Sequence, residues 1–160
     1  MNWSGWLLLG FLSTLVLTSI LSASQGLGMT RMNIPYMLGT MFTPNRDRAK
    51  LIGIFFHLIN GWIFSLIYIL TFELFNIATW WIGGILGLLH AMFVLTVGIP
   101  ILPGIHPRMA SEQQGPTVVR QLEPPGFMAL HYGIRTPISV IIAHVIFGCI
   151  LGGFYFLTKT

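Results

Sequence analysis

Charge and cysteine are both scarce in this sequence. Only 8% of its 160 residues are Asp, Glu, Lys or Arg, and just four are acidic, against about a quarter charged in an average soluble domain. So few charges cannot cover a water-soluble globule. Cys149 is the single cysteine, which excludes an internal disulfide and leaves the redox compartment unread. Phosphate-cradling glycine loops, Cys-x-x-Cys pairs and a convincing nucleophile triad are all missing, so no catalytic residue is assigned. Glu73 is the only acid inside the apolar segments. A zinc or di-metal centre wants three or four convergent ligands, with carboxylates for iron, so no metal site is expected. No Lys or Arg precedes the apolar stretch 3–20; lacking the basic n-region of a secretory signal, it reads as a retained helix.

What remains is mostly apolar: 54% hydrophobic residues and a mean hydropathy of +0.80. Four stretches, 3–21, 51–74, 80–102 and 138–157, each approach the roughly 20 residues needed to cross a bilayer as a helix. They lack the alternating, turn-punctuated pattern of barrel strands. The expected fold class is an all-α integral membrane protein, a four-helix transmembrane bundle forming one domain over residues 1–160, with loops 22–50 and 103–137.

The formal charge of +4 does not point to nucleic acid, because the basic residues are few and sit between apolar segments. They read as topology signals. Arg31, Arg46, Arg48 and Lys50 fall in the first long loop, and Arg108, Arg120 and Arg135 in the second, while the link after 74 has none. The positive-inside rule puts both long loops in the cytoplasm and both termini outside, with Trp3, Trp6, Trp80 and Trp81 at the outer interface. Lys159 is a mild exception. The expected location is a membrane, taken as a bacterial inner membrane. Arg46, Arg48 and Lys50 suit anionic lipid headgroups, and bound lipids are expected. The apolar loop pieces 32–42 and 126–134 are expected at the interface or folded onto the bundle. Thr43-Pro44 and Thr136-Pro137 read as helix starts, with Thr as N-cap and Pro in the first turn.

One polar pattern occurs twice. His57, Gly61 and Tyr68 share their spacing with His144, Gly148 and Tyr155, and at 100° per residue each trio falls within about 40° on one helix face. GFLSTLVLT from Gly10 also faintly resembles GLLHAMFVLT from Gly87. Two parallel helical-hairpin repeats are therefore expected, with His57 and His144 at similar depth and His90 nearer mid-membrane. Small residues at four-residue spacing, Gly53-His57-Gly61, Gly83-Gly87-Ala91 and His144-Gly148-Gly152, predict close helix packing, with Tyr68 and Tyr155 extending the stripes.

Three function classes follow. The first is a non-catalytic accessory or assembly subunit packed beside a larger membrane-protein complex. The second is a subunit holding a haem or a chlorophyll-type ring through His57 and His144, with His90 a further ligand, because imidazole is a good axial ligand. The third is a small proton or solute transporter, since histidine titrates near neutrality. His106 and His131 show no ligand spacing, and Glu73 reads as surface decoration or a cap contact.

Overall fold

The computed structural model describes residues 1–111 and 113–158; Lys159 lies outside them. Its regular elements are helical. They are α1 (Trp3–Gly26), α2 (Ile34–Thr40), α3 (Arg46–Phe75), α4 (Trp80–Phe93), a π turn (Val94–Gly98), α5 (Ile99–Ile105), a 3-10 segment (Phe127–Tyr132) and α6 (Thr136–Phe154). Among the described residues the only paired extended backbone is an isolated bridge between Met109 and Leu122. Four helical segments are long and apolar enough to cross a membrane: α1, α3, the continuous stretch Trp80–Ile105, and α6.

Local chemistry sets the ends. The Asn2 side chain accepts the Gly5 N–H at 2.9 Å and starts α1. α3 starts at Asn45, whose side chain accepts from Arg48 N at 3.0 Å, and Asp47 in the first turn complements the helix dipole. This corrects the Thr43 cap: Thr43 accepts only the N–H of Asn45, one step before the helix. α3 stops at Asn76, which takes the left-handed conformation (φ 51°) that commonly ends helices. Thr136 is likewise not a cap but the first residue of α6, with its hydroxyl 2.7 Å from Thr30 Oγ1. Pro137 does occupy the first turn. α6 ends at Phe154, short of residue 157, because Tyr155 turns extended (ψ 127°).

The third long segment is not a uniform α-helix. Pro100 lacks an N–H, and its ring crowds the carbonyl four residues back. The helix meets this with a five-residue π turn, Val94–Gly98, immediately before it, a common local accommodation.

α6 is the central helix. It packs on α4 and α1, and α1 packs in turn on α3. The α4–α6 seam is backbone against backbone: a Cβ at Gly83 would run into the Gly148 carbonyl, at Gly87 into the His144 carbonyl, at Gly148 into the Gly83 carbonyl, and at Gly152 into the Thr79 carbonyl. α3 and α4, though joined by the short link 76–79, hardly approach each other. The two hairpins do not share a register. In the first, Gly61 rests on Thr14. Aligning Gly10 with Gly87 would place Ala91 opposite Gly148, yet Gly148 rests on Gly83, eight residues or about 12 Å earlier in α4.

The two long loops form one cap. α2 lies on the first half of α3, with Gly39 against the Ala49 carbonyl and Gly53 against the Pro35 carbonyl. Arg31 pairs with Glu123 at 3.1 Å and donates to the His131 carbonyl. Arg108 donates to the carbonyls of Thr40 (2.7 Å) and Met41 (3.2 Å), covering the orphan acceptors at the end of α2. At the opposite end Glu73 accepts from Tyr155 Oη at 2.6 Å and Thr158 Oγ1 at 2.8 Å, while Tyr155 Oη accepts from Asn2 N at 2.9 Å.

Candidate functional site

A cavity of about 250 Å³ lies inside the bundle, and all three helix histidines line it. α1 supplies Thr14 and Leu17; Met32 and Leu38, from the first loop and α2, close it on the side of the loop cap. α3 contributes His57, α4 His90, and α6 His144.

The α4–α6 glycines determine how the imidazoles meet. Because Gly83, Gly87, Gly148 and Gly152 let the two backbones touch, His90 comes beside His144, with ring centroids 4.7 Å apart and planes at 86°. His90 is also stacked on Phe64 of α3, centroids 4.2 Å apart, and its Nδ1 lies 3.1 Å from Tyr68 Oη. α3 and α4 thus touch through side chains rather than backbone. His144 Nδ1 lies 2.8 Å from the Val140 carbonyl oxygen. A carbonyl only accepts, so Nδ1 carries the proton, and Nε2 of the neutral ring keeps a lone pair. His57 Nε2 is buried with no hydrogen-bond partner among the described residues. Buried polar atoms seldom go unpaired, and each exception asks for an explanation. The Thr14 hydroxyl is already committed to the Gly10 carbonyl at 2.6 Å.

A second hollow, about 340 Å³, runs between α3 and α4 along Tyr68, Thr71, Leu86 and Leu89. It shares Phe64, His90 and Phe93 with the inner cavity. The stacked Phe64–His90 pair therefore stands between an inner chamber and a groove on the outside of the bundle.

The residues singled out from sequence divide into groups. His57, His90 and His144 converge, and Tyr68 joins them through His90. Gly61 lines the chamber against α1. Gly83, Gly87, Gly148 and Gly152 build the α4–α6 seam, whereas Gly53 serves α2. Tyr155 is not part of the chamber; it belongs to the Glu73 cluster at the far end. Glu73 is neither decoration nor a simple cap, since it ties α3 to Tyr155 and Thr158. Arg46, Arg48 and Lys50 are exposed at the start of α3. His106 is buried and bonded on both nitrogens, donating from Nε2 to the Met37 carbonyl at 2.9 Å and accepting the Arg108 N–H at Nδ1 at 3.1 Å, so it holds the loop cap. His131 Nδ1 bonds the Pro124 carbonyl at 2.9 Å.

Sequence reasoning did not single out Phe64, Phe93 or the π turn as walls. Phe64 was findable, since it lies seven residues, two turns, beyond His57 and so on the same face. Among the described residues no three His, Cys, Asp or Glu side chains are grouped to hold a metal ion. The chamber offers imidazole hydrogen bonds and a lone pair in an apolar enclosure, which is chemistry for binding. The chain matches no family model, no curated protein and no solved structure.

Proposed function

We propose that this chain is a small, non-catalytic integral membrane subunit that holds a lipid-soluble molecule between its helices. The observation that carries the reading is the convergence of His57, His90 and His144, from three helices, on a chamber whose other walls are almost wholly apolar. Imidazoles inside a bilayer are costly and by default mark a functional site. With the four helices across a bacterial inner membrane and the basic loops in the cytoplasm, the α3–α4 groove faces hydrocarbon, so a ligand enters sideways from lipid.

A tetrapyrrole between imidazoles is the less favoured ligand. The chamber falls below the roughly 300–1,000 Å³ of sites that enclose drug-sized ligands. The His90 and His144 centroids, 4.7 Å apart, leave no room for a metal at about 2 Å from a nitrogen of each with a macrocycle between that pair, and against a ring held by His57 and His144 stands the chamber's volume alone. An accessory subunit without a ligand is the second reading. It is supported by exposed apolar side chains such as Leu51, Leu74 and Trp80, though lipid alone covers these equally well.

The test is to purify the protein from its native membrane in mild detergent, record its absorption spectrum, and extract it for mass spectrometry. One small molecule in stoichiometric amount, lost in a His57→Leu, His144→Leu double variant that still folds, is the expected result. Folded protein that yields only bulk lipid and no absorption band refutes the reading.

A further inference from the structure

The size and chemistry of the chamber narrow the ligand, and this step rests on the binding role just proposed. An apolar protein cavity of about 150 Å³ takes one benzene. A partly open chamber of about 250 Å³ therefore holds one substituted six-membered ring within its walls. A second hollow adjoins it behind the stacked Phe64 and His90 rings. The groove beyond Phe64 and His90 is about 340 Å³ and lined by Leu86, Leu89 and Ile67, a channel suited to an apolar tail but offering a polar head almost nothing.

The polarity of the head follows from tautomers. His144 spends its Nδ1 proton on Val140, so its Nε2 can only accept in the neutral ring. A complementary ligand must bring a donor, an O–H, to that nitrogen. His57, with Nε2 buried and unpartnered, lines the same chamber and supplies a second imidazole for a ring oxygen. A ligand that only accepts, such as a fully oxidised carbonyl ring or an ether, leaves the His144 lone pair unmatched in an apolar enclosure, which is unfavourable.

We infer that the chamber binds a single phenolic ring carrying at least one free hydroxyl and an apolar tail, with the hydroxyl donating to His144 Nε2 and the tail parting the stacked Phe64 and His90 rings to lie in the α3–α4 groove. Lipid-borne monophenols and hydroquinones share this chemistry. No redox step is required of the protein.

The test uses the full chain in mild detergent and four probes: 2-decylhydroquinone, its dimethyl ether, 4-decylphenol and decylbenzene, with binding read by titration calorimetry. The hydroquinone should bind about tenfold or more tighter than its ether, the value of one buried hydrogen bond. His144→Phe keeps a ring in place but removes the acceptor, and should abolish that preference while decylbenzene binding stays. Gly98→Leu offers an independent check. Gly98 lines the chamber and a Cβ there meets nothing within 4 Å, so a leucine is accommodated, and weakened binding of every ringed probe, with no histidine touched, is the expected result. A 4-decylphenol affinity equal to that of the hydroquinone supports the inference with one hydroxyl; a higher hydroquinone affinity supports it with two. Equal binding of hydroquinone and ether overturns the hydroxyl requirement while leaving a ligand-binding chamber. A macrocycle in native extracts overturns the single ring but keeps the binding role. Failure of all four probes, together with an empty native extract, removes both.

Discussion

The backbone contact between α4 and α6 gives the sharpest prediction. A Cβ at Gly148 would overlap the Gly83 carbonyl oxygen and stand 2.8 Å from its carbonyl carbon and 3.1 Å from Gly87 N. Carbon atoms settle at about 3.5–4.0 Å, so Gly148→Ala must part α4 and α6 by about 1 Å here. A gap of that size forfeits about a quarter to a half of each affected dispersion contact. Overpacking of this kind costs about 1–3 kcal/mol, and between membrane helices close packing is a main cohesive term. Gly61→Ala should also destabilise, because its Cβ meets the buried Thr14 side chain, whose hydroxyl is held on the Gly10 carbonyl. Gly104→Ala is the control: it is helical with nothing within 4 Å of its Cβ, and alanine there should add about 0.4–1 kcal/mol by stiffening the unfolded chain. The assay is unfolding of the detergent-solubilised protein by sodium dodecyl sulfate, followed by circular dichroism. The expected order of stability is Gly104→Ala, then wild type, then Gly61→Ala and Gly148→Ala. A Gly148→Ala protein as stable as wild type would refute the close α4–α6 seam, and with it the placement of His90 beside His144.

Other outcomes follow from the two ends. Tyr155→Phe removes the acceptor of the Asn2 N–H and leaves Glu73 Oε1 with the longer Thr158 N–H bond, and should cost about 0.5–1.5 kcal/mol in the same assay. Burial, with the bond to Glu73, pushes the Tyr155 phenol up to about 12. A raised folded value favours the neutral form, so its contribution is whole below about pH 10, the ordinary tyrosine value, and is lost as pH climbs towards 12; the pH-dependence of the unfolding midpoint should shrink in Tyr155→Phe. Tyr132, raised to about 12 chiefly by burial, contributes in the same window, so the loss should shrink but not vanish. His106→Ala leaves the Arg108 N–H without its partner and the Met37 carbonyl with the Thr40 hydroxyl alone, and should make the loop cap more sensitive to limited proteolysis, with little change in α6. For orientation, Gln121→Cys in a Cys149→Ser background should react with an impermeant maleimide only from the cytoplasmic side; labelling in intact cells would reverse the topology.

Helices were the legible part. The four apolar runs are all helical, and what shifted their ends was local: Asn45 out-competed Thr43 as a cap because its side-chain oxygen reaches the Arg48 N–H, and Asn76 closed α3 from a left-handed conformation. Of the two stripes, His57, Gly61 and His144 line one chamber, while Gly148 meets α4 and Tyr155 joins the Glu73 cluster, because helical periodicity is a property of each helix alone. Which helix each glycine meets is not. Gly53 sits in the same stripe as His57 and Gly61 but faces α2, since α3 begins five residues before the apolar run and passes the loop cap first. The intimacy of His90 with His144 likewise depends on the α4–α6 register, which pairwise backbone contacts decide and repeat alignment misplaces. Pro100 was a visible sign that the third segment could not stay regular, although not that the accommodation would be a π turn.

That π turn amounts to one residue of phase. Everything after Gly98 is rotated about 100° relative to a continuous α-helix, and in that rotated setting Ile99 and Leu102 face the chamber. Deleting one residue from 94–98 would restore regular helical bonding and at the same time swing those walls away. Side chains in this stretch can therefore be exchanged far more freely than its length can be altered, and a chain of this fold that lacked Pro100 and carried one residue fewer would own a differently shaped chamber beneath the same three histidines.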